Sequence, residues 1–348
     1  MKKIYYITAV FATLFLVGCG DGIDLPGVNV ETDLNKIPLP DNNVNLEQVE
    51  LKPSTEPMLH EGLHTEEDFQ RIRDKKAAGE EPWVSAYQLL VESQFSQKTA
   101  DTYPTEWIKR GVSGDENYMN AARGATIAYQ QALRWKIEQD DEYAAKAVEN
   151  LNKWVQTCVG VTGNTNLSLA AGLYGYEFAI AGELLRDYEG WDRADFAAFQ
   201  NWLLKVFYPA NDDFLKRHHD TNALHYWANW CLCNIAAKMA IGIVTDRRDI
   251  YNEGIDHLQT GDTNGRLRRA IYHDYAPDYN FAQWQESGRD QGHTLMCVGL
   301  MGVICQLAWS QGDDFFAYDD NLFMRACEYA ACCNYTNETV PYTTYIWQ

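Results

Sequence analysis

The stretch Leu167–Phe207, LSLAAGLYGYEFAIAGELLRDYEGWDRADFAAFQNWLLKVF, reads as one supersecondary unit. A helix runs from Leu167 to Leu185, breaks at Asp187-Tyr188-Glu189-Gly190-Trp191 and resumes through Phe207. The pattern recurs. Ala121–Ile137 breaks at Gln139–Tyr143 and resumes through Trp154. His225–Val244 breaks at Thr245–Arg248 and resumes over Tyr251–Leu258, and Thr294–Trp309 breaks at Gln311–Asp314 and resumes over Leu322–Cys333. Each unit is two antiparallel helices joined by an acidic turn, and strand signals are almost absent. Upstream, Thr65 caps a helix opening with Glu66-Glu67-Asp68 and ending at Gly79, and Pro82 sits near the start of another carrying Trp83, Tyr87, Leu90 and Val91.

Stacked helical hairpins make either an open solenoid or a closed ring. Polar and aromatic residues along one face of the long helices favour the ring, an all-α, incomplete (α/α) toroid with the loops 208–221 and 261–285 as its rim. Thr344–Gln348 carries no helix end, so one or two closing hairpins are expected beyond it.

Residues 1–19 read as a signal peptide: Lys2 and Lys3 precede the apolar run Ile4–Val17, which enters Leu16-Val17-Gly18-Cys19. The small-residue-then-Cys pattern makes Cys19 the expected lipidated residue, with a plain secretory signal as the alternative. Export to an outer-membrane or periplasmic site follows, with membrane contact only through a lipid anchor at Cys19. No later segment reads as long and apolar enough to span a membrane. Residues 20–57, rich in Asn, Asp, Pro and Val, read as a flexible tether, and 58–348 as the toroid domain.

The formal charge of −20 argues against nucleic acid or an anionic membrane as partner. A polyanionic substrate would need a locally basic cleft. Lys216-Arg217-His218-His219, Arg266, Arg268, Arg269, His273, Arg289 and His293 could supply it, or could simply pair with the excess carboxylates. Apart from Cys19, eight cysteines lie in helical, mostly apolar contexts without C-x-x-C spacing, which suits small buried hydrophobes; one disulfide stays open. No His or Cys falls at zinc-ligand spacing, so no metal or cofactor is expected.

Two stretches depart from the apolar-in rule. Asn222, His225, Tyr226 and Asn229 fall at i, i+3, i+4 and i+7, and Glu286, Arg289 and His293 at i, i+3 and i+7 within Trp284-Gln285-Glu286-Ser287-Gly288-Arg289-Asp290-Gln291-Gly292-His293. Read as helices, both aim polar side chains along one stripe, the lining expected of a wet cleft. Bland readings compete: Glu286–Arg289 as a solvated ion pair, His225 as a core histidine, Asn222 as an N-cap, and Trp227 and Trp230 as core.

These residues, with His64–Arg73, His225–Trp230 and Gln311-Gly312-Asp313-Asp314, resemble the alginate-lyase superfamily of helical polysaccharide lyases, in its secreted bacterial branch. The resemblance runs from about residue 58 to the end. It implies an incomplete (α/α) toroid that cleaves 1,4-linked uronate polymers by β-elimination with Asn/His, Arg and Tyr side chains. Better-known members carry a tyrosine a few residues after the arginine; here Arg289 is followed by His293, Leu295 and Met296. The tyrosine must then be Tyr226, lie in the 272–279 loop, or fall beyond residue 348.

Such chemistry needs the uronate carboxylate neutralised, a base for the C5 proton and an acid for the departing O4. Arg289 is the expected neutraliser, helped by Asn229 and Asn222, with Glu286 orienting it. His225 and Tyr226 are the proton-transfer candidates, and His293 a partner or orienter. Trp284 is the expected stacking platform, and Tyr279 and Arg269 the rim contacts. The expected function is metal-independent cleavage of poly-mannuronate or glucuronan. Two other classes compete: a helical-toroid glycoside hydrolase using Glu286 and Asp290, and a non-catalytic glycan-binding lipoprotein.

Overall fold

The computed structural model describes residues 54–335 and 339–345. The expected signal peptide, Cys19 and most of the expected tether lie outside the described residues. The rest divides into two compact units interleaved in sequence: a hairpin unit of 54–219 and 233–255, and a turn-rich unit of 220–232 and 256–345.

In the hairpin unit, α1 (Glu66–Ala77) opens with the expected capping box between Thr65 and Asp68, and α2 (Trp83–Glu92) follows Pro82. Then come α3 (Tyr118–Glu138), α4 (Asp141–Thr157), α5 (Leu167–Leu184), α6 (Arg193–Val206) and α7 (Tyr208–Arg217). The acidic turns between helices act as N-caps. Asp140 accepts the Glu142 N–H, and Asp192 accepts those of Ala194 and Asp195. Each thereby satisfies amides that an uncapped helix start would leave unpaired. Gln139 ends α3 in the left-handed conformation, φ 57°. Helix α3 packs on both α4 and α5, where Gly124 lets the Trp154 ring approach the α3 backbone. Phe178 joins Trp154 and Trp202 at ring-centroid distances of 5.3 and 5.2 Å. Each such buried side chain contributes about 1.5–3 kcal/mol.

One sequence expectation fails here. The rim loop 208–221 is largely the helix α7, whose Pro209 occupies a first-turn position where its missing N–H costs nothing. Strands also exist: β1 (Trp107–Arg110) pairs in parallel with β2 (Gly160–Gly163), Arg110 opposite Gly163.

Helix α8 (Ala228–Val244) has its first residues in the turn-rich unit and the remainder in the hairpin unit, and α9 (Arg248–Thr260) runs back the other way. The turn-rich unit continues with the short α10 (Leu267–Ala270), an antiparallel pair β3 (Ile271–Asp274) and β4 (Ala282–Trp284), α11 (Gln291–Ser310) and α12 (Tyr318–Tyr335). Within α12, Asp319, Asp320 and Asn321 are left-handed, so its regular part starts near Leu322 as expected. Helix α11 corrects another expectation, being long and apolar enough, at 20 residues, to cross a membrane. Most of it is buried inside the protein, with Leu300, Met301, Ile304, Cys305 and Leu307 among its core residues, so its apolar character is that of a core helix. The eight described cysteines are free thiols, and five of them are buried.

Candidate active site

Residues 222–227 do not form a helix, and of the four polar residues only Asn229 lies in one. The Asn222 side chain accepts the Leu224 N–H at 2.8 Å and its carbonyl accepts the His225 N–H at 2.9 Å. By capturing these amides Asn222 holds the chain in a turn, and α8 starts only at Ala228. Asn264 fixes that turn from outside, donating to the carbonyls of Leu224 (3.0 Å) and Tyr226 (2.9 Å). His225 and Asn222 are exposed, and Tyr226 and Asn229 buried. The Tyr226 ring lies edge-on to His225 at 4.8 Å and 4.7 Å from Trp230. Asn229 accepts the Trp230 N–H at 2.9 Å and points its amide nitrogen at Met296 Sδ, 3.8 Å away.

The 284–293 stretch is likewise a strand end, a turn and a helix start. Trp284 closes β4 with 1 % of its surface exposed, and its indole N–H donates to the Ala326 carbonyl at 3.1 Å. It is a core residue, so the expected stacking role is withdrawn. The turn is drawn together by the Glu286 carbonyl, which accepts from both Arg289 (2.9 Å) and Asp290 (2.8 Å). Asp290 then caps α11: one oxygen accepts the His293 N–H at 3.0 Å, the other meets His293 Nδ1 at 2.6 Å. Burial pushes the Asp290 carboxyl up, but these two bonds outweigh it and hold it below the usual range. An ionised Asp290 accepts, so Nδ1 carries a proton in this pair.

Glu286 and Arg289 form an ion pair between unequal environments. The Glu286 side chain is fully buried, whereas that of Arg289 is 46 % exposed. The guanidinium carbon also lies 4.5 Å from the centre of the Trp227 ring. Burial pushes the Glu286 carboxyl above its usual range, against the pull of Arg289, and Oε1 has no hydrogen-bond partner. Arg289 is thus fixed by a carboxylate and by an aromatic face while much of it faces outward. An outward guanidinium can hold a carboxylate through two N–H groups at once.

The two stretches meet through Gln285, Ala228 and Trp227. The Gln285 side chain accepts the Ala228 N–H at 3.1 Å and donates to the Tyr345 hydroxyl at 3.0 Å, and Arg289 lies on Trp227. Trp227, Gln285, Asn264 and Tyr345 are the participants that sequence reasoning missed. Tyr345 is 5.6 Å from Trp227 by ring centroids and its hydroxyl is 3.3 Å from Asn264 Oδ1. Burial pushes it up to about 12, against the pull of Arg269. Only the Trp227 position carried a sequence signal, as the ring adjoining His225-Tyr226.

The remaining candidates divide. Tyr279 is exposed at a turn where its N–H bonds the Tyr275 carbonyl, a position open to a ligand. Arg269 is tied to the Asp262 carbonyl, and burial together with Arg266 lowers its pKa. The expected 272–279 loop begins inside β3: Tyr272 of that strand and Tyr275 just after it bond the Thr343 backbone or side chain, and burial raises both, Tyr275 to about 12. Several basic residues are ordinary ion pairs: Lys216 with Asp212, Arg217 with Asp213, and Arg268 with Asp274 and Asp319. Among the described residues, no three His, Cys, Asp or Glu side chains converge as a metal site would require.

The profile of the family described as alginate lyase matches residues 72–338. No curated protein sequence matches. An alginate lyase from Bacteroides ovatus superposes with a TM-score of 0.57 at 14% identity, covering 77% of this chain and 82% of that one. A variant of alginate lyase A1-III complexed with a tetrasaccharide gives 0.56 at 14%, covering 80% of each chain. Alginate lyase A1-III from Sphingomonas species A1 gives 0.55 at 13%, again covering 80% of each. The shared fold is the (α/α) toroid class that the hairpins suggested. With a family match over most of its length, this chain belongs to the alginate lyase family and is a polysaccharide lyase.

Proposed function

We propose that the protein cleaves a 1,4-linked β-uronan by β-elimination, with poly-mannuronate the first choice of substrate and β-1,4-glucuronan the next. The observation that carries this is Arg289, clamped by buried Glu286 and Trp227 and half open to solvent. It would neutralise the uronate carboxylate, with the amides of Asn229 and Asn222 assisting, so that charge can develop at C5 without a metal. A base then takes the C5 proton, the C4–O4 bond breaks, a C4=C5 double bond forms, and an acid protonates O4. His225 and Tyr226 are assigned those proton transfers. His293, its ring set by Asp290, is the third group able to exchange a proton. The tetrasaccharide complex of alginate lyase A1-III supports an oligosaccharide ligand for this fold.

A glycosidase would need two carboxylates flanking the scissile bond. Glu286 is buried against Arg289 and Asp290 is bound to His293, which disfavours that use. Export and lipidation at Cys19 are proposed on the sequence pattern alone. The test is ultraviolet absorbance of the new double bond with poly-mannuronate, glucuronan and a neutral 1,4-glycan. Growth on either uronan supports the proposal. New reducing ends without absorbance would mean hydrolysis, and neither signal would mean a binder.

A further inference from the structure

A circuit of hydrogen bonds ties the two candidate stretches together, and it passes through one phenol. The Ala228 N–H donates to Gln285 Oε1 at 3.1 Å, and Gln285 Nε2 donates to the Tyr345 hydroxyl at 3.0 Å. That hydroxyl donates to Asn264 Oδ1 at 3.3 Å, and Asn264 Nδ2 donates to the carbonyls of Leu224 (3.0 Å) and Tyr226 (2.9 Å). Donors and acceptors run in one direction round the circuit, so each bond polarises the next. Gln285 and Asn264 are both buried. Removing the hydroxyl between them would leave an amide donor and an amide acceptor unpaired away from water, which costs more than the bonds themselves contribute.

The circuit spans what the proposed reaction must align. On one side it grips the backbone at three points around His225 and Tyr226. On the other, Gln285 precedes Glu286, the partner of Arg289, and the Gln285 N–H is fixed to the Ala270 carbonyl at 3.0 Å. The Tyr345 ring also lies 5.6 Å from Trp227, the aromatic face against which the Arg289 guanidinium rests. Tyr345 belongs to a segment, 339–345, without helix or strand. Buried Gln283 seats that segment, accepting the Thr343 N–H at 3.0 Å and donating to its carbonyl at 2.9 Å. The Tyr345 proton is committed to Asn264, and burial holds the phenol up at about 12, so it suits a brace better than a base.

We infer that Tyr345 is a positioning residue, which through Gln285 and Asn264 sets the His225–Tyr226 turn against Arg289 without touching the sugar. This rests on the site assignment above. The test is steady-state cleavage of poly-mannuronate and glucuronan across pH by the wild type, Tyr345→Phe, Gln285→Ala and the double variant. Tyr345→Phe should lower kcat roughly tenfold or more, since a shift of about 1 Å in a reacting group can cost roughly a hundredfold, with KM within about twofold. Gln285→Ala should show the same loss in kcat alone, which keeps the test open if Tyr345→Phe does not fold. The pH profile should keep its shape, and losing the hydroxyl should matter less in the Gln285→Ala background. A lower melting temperature with kcat unchanged would make the phenol merely structural and overturn the inference. A lost limb of the pH profile would make Tyr345 a proton-transfer group, and additive losses in the double variant would mean it acts apart from Gln285; either overturns the inference while wild-type cleavage upholds the lyase reading. Hydrogen exchange needs no substrate: Tyr345→Phe should speed exchange of the His225 and Ala228 amides, and unchanged rates would overturn the brace. A wild type that cleaves neither uronan removes the lyase reading and this role together.

Discussion

Two glutamate–arginine pairs at the same i,i+3 spacing divide structure from function. Glu183–Arg186 sits in the hairpin unit with both side chains buried, at 4 % and 8 % exposure. Arg186 donates to both Glu183 oxygens, to Asp246 and to the carbonyls of Ile243 and Val244. Every direction of that guanidinium is occupied, so it can only hold the fold together. Glu286–Arg289 in the turn-rich unit buries the acid and exposes the base, with an aromatic face where Arg186 has carbonyls. Equal sequence spacing thus yields a rivet in one place and a presented cation in the other. The difference lies in what surrounds the arginine.

The largest effect should come from removing the presented cation. Arg289→Ala, and separately His225→Ala, should lower turnover on uronan at least roughly a hundredfold. Arg289→Ala leaves buried Glu286 without its partner, so some loss of melting temperature is expected, smaller than for the wholly buried Arg186 below. Near-normal turnover in both variants would end the site assignment.

Arg186→Ala should show the reverse pattern. Breaking a buried pair leaves Glu183 uncompensated, so denaturant titration should record a loss of about 3 kcal/mol or more. Activity per folded molecule should be nearly unchanged. A stable Arg186→Ala protein would erase the distinction between the two pairs.

Glu286→Gln tests the clamp itself. It keeps the shape but removes the charge that orients Arg289, and a several-fold fall in kcat is expected. Burial raises the Glu286 carboxyl, so on acidification it protonates earlier than an ordinary glutamate and releases Arg289. The wild-type rate should therefore fall on an acid limb above the usual carboxylate range, and Glu286→Gln should lack that limb. An identical limb in both proteins would assign it elsewhere.

A third glutamate extends the comparison to a carboxyl with no arginine. Glu177 on α5 has its Oε2 buried without a hydrogen-bond partner, and burial pushes it up to about 8 against the Tyr176 hydrogen bond. The folded state holds a proton that the unfolded chain has lost between the usual carboxylate range and about pH 8. Stability should therefore fall as pH rises through that window. Glu177→Gln should flatten the dependence by about one proton, measured by denaturant titration across pH. Parallel curves would refute this smallest effect.

The hairpins were legible because their turn residues act locally: Asp140 and Asp192 cap the helices that follow them, whatever lies beyond. Both candidate stretches were given the wrong conformation. An i, i+3, i+4, i+7 pattern cannot distinguish a helix from a turn when Asn222 or Glu286 captures nearby amides, since polar residues at those spacings suit either. Trp284 misled because the strand that buries it is only three residues long. Tyr345 was invisible, its place set by contacts to Gln285 and Asn264, 60 and 81 residues away.

The most direct measurement is a crystal structure of the His225→Ala protein with a uronate tetrasaccharide bound. The expected result is one sugar carboxylate paired to the outward edge of Arg289, with the Glu286 and Trp227 contacts unchanged. A tetrasaccharide whose carboxylates all lie away from Arg289 would contradict the proposed mechanism.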